Sequence, residues 1–218
     1  MAKVRIWDLP TRLFHWTLLA LVVASFVSGR IGGNAMKWHM LSGYTILTLI
    51  VFRLLWGIAG SRYARFASFV RGPGEVLATL LATVRGSATP HAGHNPLGAL
   101  SVLALLVALF VQASTGLFAN DDISTEGPLA KLVSGAVSES LTSIHRINRY
   151  VILALVALHL AAIAFYTWVK RERLVGPMIT GDKHGIDAPA ATDDGQLRIR
   201  ALILAAVAAG FVGYIVNL

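Results

Sequence analysis

Seven histidines occur in the 218-residue chain, and four of them, His15, His39, His145 and His159, fall in or at the edge of long apolar stretches. An ionisable side chain at membrane depth is costly unless it faces the helix bundle and finds a partner there. For one histidine alone, a backbone carbonyl or the interface zone is the plainer reading. Mutual spacing changes that. His145 and His159 are fourteen residues apart, so on a helix they return to within about 40° of one face, about 21 Å apart along the axis. Two imidazoles meeting at one level from different helices can hold a haem iron axially from both sides, with no cysteine needed.

The elements that must position them are membrane spans. Crossing the hydrocarbon takes about 20 mostly apolar residues, and five such stretches occur, at roughly 13–29, 39–58, 97–118, 147–169 and 199–216. Hydrophobic residues make up 56% and charged residues 14%, with mean hydropathy +0.66, far from the balance of a water-soluble domain. The net charge of +8 and pI near 10.3 offer no basic face between these apolar runs, which excludes nucleic acid as a partner. The absence of cysteine excludes disulfides, covalent c-type haem, thiolate-held iron–sulfur clusters and cysteine zinc sites. Lys3, Arg5 and Arg12 before the first apolar run resemble a signal peptide, but Asp8, Pro10 and His15-Trp16 sit badly in one, so this run is expected to stay as a span. The loop after the second span carries Pro73 and Pro90 as breakers, and Gly176 to Gln196 reads as an exposed linker.

Positive residues orient the chain. On one side lie Lys3, Arg5, Arg12, then Arg62, Arg65, Arg71 and Arg85, then Lys170, Arg171, Arg173, Lys183, Arg198 and Arg200. The other side has only Arg30, Lys37, Lys131, Arg146 and Arg149, together with the acidic loop residues Asp121, Asp122, Glu126 and Glu139. The N-terminus is therefore expected inside and the C-terminus outside. That topology places His39 level with His145 at the outer end and His15 near His159 on the inner half: two stacked bis-histidine sites. Ser42, Gly43, Ala154, Ala157, Ala161 and Ala162 would let a flat macrocycle approach, although small residues are common in membrane helices. Histidine also serves zinc and copper, but no Asp or Glu lies inside a span and no Met cluster lines a path. A histidine-lined metal transporter is the weaker alternative. Arg53, fourteen residues after His39, is the one charge deep in a span. It suits an inner haem propionate, with snorkelling to the interface as the plainer account. Arg146 and Arg149 suit the outer haem in the same way.

The runs RLFHW (12–16), WHMLSGY (38–44) and HRINRYVILALVALH (145–159) resemble the bacterial cytochrome b561 family, which groups with the b-type cytochrome subunits of nickel–iron hydrogenases. VRIWDLPTRLFHW, HNPLG and TGLFAND look like its small stand-alone members. The resemblance covers roughly residues 3–180. It implies an all-α integral membrane protein whose four-helix bundle holds two haem b per chain and passes electrons between a quinone and a partner. The family's axial ligands fall on His15, His39, His145 and His159. The expected organisation is a di-haem domain over 1–175, a polar linker over 176–198 and an extra fifth transmembrane helix over 199–218.

A quinone site needs a proton-exchanging group at the membrane edge. His94 and Asn95, with His91 one turn earlier, are the candidates at the inner surface; Asn95 ahead of Pro96 also reads as a plain helix-entry cap. His184 is expected to be exposed and idle. The acidic stretch from Asp121 to Glu139 could dock a basic periplasmic cytochrome c or another redox protein, or simply be solvated. The expected function is electron transfer between the quinone pool and a periplasmic redox partner or small oxidant or reductant, in the bacterial inner membrane among lipid. The alternative is a relay subunit anchoring a larger oxidoreductase such as a hydrogenase. Self-association into a homodimer is compatible with either.

Overall fold

The computed structural model describes residues 3–87, 91–121 and 125–218. Pro90 and Asp122 lie outside them. In chain order the elements are β1 (Lys3–Arg5), α1 (Leu9–Ile31), α2 (Met36–Ala59), α3 (Phe66–Phe69), α4 (Pro73–Val84), α5 (Pro96–Gly116), α6 (Gly135–Trp168), α7 (Val175–Thr180), β2 (Asp182–His184) and α8 (Gly195–Ile215). The five long apolar helices α1, α2, α5, α6 and α8 are each able to span a membrane, matching the five stretches read from hydropathy. Many of their large apolar side chains, such as Leu19, Val23, Leu158, Leu160 and Phe211, are exposed. In water such a surface would aggregate; lipid tails cover it here.

Four of these helices start with one device. An N-cap side chain accepts the N–H three residues on, satisfying a donor that the helix itself leaves open. Asp8 accepts from Thr11 (2.7 Å), Asn95 from Gly98 (2.7 Å), Ser134 from Val137 (3.4 Å) and Asp194 from Leu197 (2.8 Å). Pro10 and Pro96 sit in the first turns of α1 and α5, where their missing N–H costs nothing.

Contacts divide the chain into two compact units. One comprises Met1–Leu13, Leu54–Ala104 and Val156–Leu202; the other comprises Phe14–Arg53, Leu105–Leu155 and Ile203–Leu218. In the first unit, Asp8 is fully buried and its carboxylate also accepts the Ser61 hydroxyl. Trp56, fully buried, donates its indole N–H to Thr11 (3.2 Å). These bonds tie the start of α1 to the end of α2.

The stretch read as an exposed linker folds back onto this unit. Gly181, in the left-handed region at φ 90°, ends α7 where a Cβ would stand 2.7 Å from the Trp7 carbonyl, and β2 then pairs antiparallel with β1. Asp182 takes Lys3 (2.9 Å) and Arg5 (2.7 Å). Asp193 takes Arg5 (2.9 Å), Arg198 (3.3 Å) and the Leu9 N–H (3.2 Å). The carboxylates that looked solvated in the sequence are thus occupied by the basic N-terminal strand. His184, as expected, is exposed.

Hydropathy also passed over α4, which is too short to span. Leu77, Leu80, Leu81 and Val84 are exposed and recur at the spacing of one helix face, the pattern of a helix lying in the membrane interface. Lys170 fixes its end by donating to the Thr83 carbonyl (2.8 Å).

In the second unit, Val212 of α8 is buried with Leu47, Leu117 and Leu129, and Tyr44, Val51 and Phe118 pack around them. The fifth helix is part of this core. α6 begins twelve residues ahead of the stretch read from hydropathy. This extra part carries buried Ser138 and Thr142, which bond to the Phe118 carbonyl (2.8 Å) and the Asn120 N–H (3.0 Å) and hold the loop after α5.

Candidate functional site

The second unit brings His39 and His145 together. His39 stands in the first turn of α2 and reaches α1, where its Nδ1 lies 2.9 Å from the Ser25 carbonyl and 3.1 Å from the Ser25 hydroxyl. His145 on α6 reaches α5, with Nδ1 2.9 Å from the Gln112 carbonyl and 3.4 Å from the Thr115 hydroxyl. A carbonyl can only accept, so each Nδ1–H donates, and in the neutral imidazole that leaves the lone pair on Nε2. That is the tautomer in which an imidazole ligates a metal while a backbone carbonyl orients it. The ring centroids are 6.0 Å apart with planes at 85°. Two metal–nitrogen bonds of about 2 Å each, plus the ring radii, come to about the same separation.

Both histidines line a cavity of about 450 Å³, within the range of cofactor sites. Its walls are largely apolar, including Val22, Phe26, Leu109, Ala113, Ile152 and Leu153, while Arg30, Arg146 and Arg149 also line it. Gly43, one turn after His39, has nothing within 4 Å of where a Cβ would be and keeps that wall flat. The Arg149 guanidinium stacks on the Tyr150 ring at 4.7 Å, and its buried Nε has no hydrogen-bond partner among the described residues. Facing imidazoles, apolar walls and guanidinium groups fit a flat apolar macrocycle that bears carboxylates. The sequence reads Arg30 only as an outer-side charge. Its position after Gly29, at the end of the first span, was the available signal.

Arg53 is 3% exposed and belongs to the second unit, outside the lining of this cavity. His15, half-buried, sits edge-on to Trp16 with centroids 4.9 Å apart. His159 is half-buried on α6. His15 belongs to the second unit and His159 to the first. Among the described residues, no group of three or more His, Cys, Asp or Glu gathers as a metal site; a haem iron needs only two axial side chains.

The inner-surface candidates share one corner of the first unit. The His94 ring makes tilted contacts with Trp7 at 4.7 Å and Phe69 at 4.9 Å. Asn95 caps α5 through its oxygen and donates its amide to the Tyr166 hydroxyl (2.7 Å). The His91 carbonyl accepts from Lys183 (2.7 Å), which also pairs with Glu172 (2.6 Å). Tyr166, Trp7 and Phe69 were not anticipated; Trp7 lies within the opening run VRIWDLP, which already carried the resemblance. Of the acidic residues read as one loop, the Asp121 carboxylate accepts the Thr125 N–H (2.8 Å) and Glu126 is exposed, while Glu139 stands exposed in the first turns of α6.

Neither curated proteins nor solved structures return a match to the chain. A family model for prokaryotic cytochrome b561 matches residues 6–181, ending just before β2. That match takes in the four long helices α1, α2, α5 and α6 and all four of their histidines, and the chain belongs to the prokaryotic cytochrome b561 family of electron-transferring membrane b-type cytochromes.

Proposed function

We propose that the chain is a di-haem b-type cytochrome moving electrons between the quinone pool and a periplasmic redox partner or small oxidant or reductant. His39 and His145 ligate an outer haem, and His15 and His159 an inner one. The observation that carries the reading is the facing pair His39 and His145, each with Nδ1 on a backbone carbonyl in an apolar cavity. A bound haem supplies a one-electron iron couple. The chain's residues ligate it, exclude water around it and neutralise its carboxylates, with Arg30, Arg146 and Arg149 at the outer site and Arg53 at the inner.

In this reading α1, α2, α5 and α6 form the four-helix haem bundle over residues 1–175, with 176–198 as connection and α8 as the added helix. The N-terminus is cytoplasmic and the C-terminus periplasmic, as the excess of Lys and Arg on one side requires. The quinone head group meets the corner of His94, Asn95 and His91, where an imidazole exchanges the proton. The outer loop from Asp121 to Glu139 meets a basic partner.

The test is a reduced-minus-oxidised spectrum of the purified protein with pyridine haemochrome quantification. Two b-type haems per chain is the expected result. One haem breaks one of the pairs, and none, in material expressed with adequate haem, overturns the reading. Copurification with a larger oxidoreductase would point instead to the relay-subunit role.

A further inference from the structure

We infer that Gln112 and Asn148 are positioning residues for His145, and that they set the properties of the outer haem without touching the iron; this rests on the outer site proposed above. His145 and Gln112 of α5 are joined by two bonds running in opposite directions, beside the longer contact of Nδ1 with the Thr115 hydroxyl. Its Nδ1–H donates to the Gln112 carbonyl (2.9 Å), and the Gln112 side-chain amide donates back to the His145 carbonyl (3.0 Å). The Gln112 amide is itself aimed. Its oxygen accepts from the Asn148 amide (2.8 Å), which also donates to the Ala108 carbonyl (2.8 Å). Between apolar helices an unsatisfied amide is expensive, so a closed network of this kind has one low-energy arrangement.

Gly116 completes the lock. It stands one turn after Gln112 on the same helix, and a Cβ there would lie 3.0 Å from His145 Cε1 and 3.2 Å from Nδ1. The ring reaches the carbonyl through the space that a side chain would take. His39 has the same window at Gly29, where a Cβ would be 2.8 Å from its Nδ1, one turn after Ser25. Its partner supplies only a carbonyl and a hydroxyl. The two ligands of one cavity are therefore held unequally, His145 by an amide network and His39 by a single serine.

A carbonyl on Nδ1–H raises the basicity of the ligating nitrogen and favours the oxidised metal. Loosening that bond should raise the potential of the haem His145 serves. The test compares wild type with Gln112→Met, which keeps the backbone carbonyl but removes both side-chain bonds, and with Gly116→Ala, which presses on the ring and removes no polar group. Haem per chain, redox titration and low-temperature EPR are read together. The expected result is one haem with a higher midpoint potential and an altered low-spin EPR signal, the other unchanged, at wild-type haem content. Wild-type potentials and EPR in both variants would overturn the positioning role and leave the haem reading standing. A wild-type protein without an outer haem would overturn the site itself. If Gln112→Met fails to assemble, Gly116→Ala and Asn148→Leu carry the same readout.

Discussion

The Asp193 carboxylate holds the Arg5 guanidinium at 2.9 Å across 188 residues of sequence. It also accepts from the Leu9 N–H and pairs with Arg198, and its side chain is only 8% exposed. This joins the opening strand to the segment that precedes α8, beyond the part of the chain that the family model covers.

Asp193→Asn should therefore cost more than an exposed ion pair would. Hydrogen bonds to charged groups contribute about 1.5–3 kcal/mol each, and partial exposure of Arg5 places the loss toward the lower figure. Thermal unfolding in detergent should show a clear drop in midpoint with the spectrum of the folded protein unchanged. An unchanged midpoint would mean that α8 is held by its apolar contacts alone.

Asp182 makes this clasp sensitive to acid. Burial raises its carboxyl pKa, but the hydrogen bond from Lys3 and the charges of Arg5 and Lys3 outweigh that and hold it below the ordinary carboxylate value. A depressed folded-state pKa adds stability that is present above the unfolded value of about 3.9 and is lost as pH falls through the folded value. Wild type should lose stability progressively below about pH 4. Asp182→Asn should be less stable at neutral pH and flatter across that acid range, as melting midpoints between pH 7 and 3 would show.

Independent histidine pairs make a stoichiometric prediction. His159→Ala should lose the inner haem and keep most of the outer, and His145→Ala should do the reverse. Haem per chain by pyridine haemochrome checks both. Loss of both haems, or of neither, counts against the pairing.

Gly29→Ala tests the window beneath His39. The added Cβ meets Nδ1 at 2.8 Å, closer than real contacts allow, and the neighbouring atoms are ring atoms of the ligand itself. The variant should bind less outer haem while the helices stay folded by circular dichroism. Full outer-haem content would show that the ring can move and still ligate.

Asn95 has two separable tasks. Asn95→Asp keeps the acceptor that caps α5 but loses the amide that donates to Tyr166, whereas Asn95→Ala loses both, at about 1 kcal/mol for the cap. If the corner handles quinone, Asn95→Asp should slow quinol-driven haem reduction with little change in melting midpoint. A normal rate would leave Asn95 as a cap only.

The sequence by itself determined the five spans, the level at which His39 meets His145, and the family. These properties are local or periodic: apolar length, 3.6-residue geometry and charge asymmetry need no knowledge of which helix lies beside which. It also showed Asn95 as a cap, because that device acts within four residues. What the tertiary structure decided is how His39 and His145 are held. The groups that orient His39 and His145 are backbone carbonyls of Ser25 and Gln112, which any residue carries, and the windows at Gly29 and Gly116 are open only because a neighbouring helix sends a ring through them. The same holds for Asp182 and Asp193. In a Gly- and Asp-rich stretch they look solvated, and only chain folding delivers Lys3 and Arg5 to them. α4 escaped because an apolar face on a helix of 12 residues is too short to register as a span. Side-chain chemistry and local period can be read along the chain; the partners that orient His39 and His145 come from other helices.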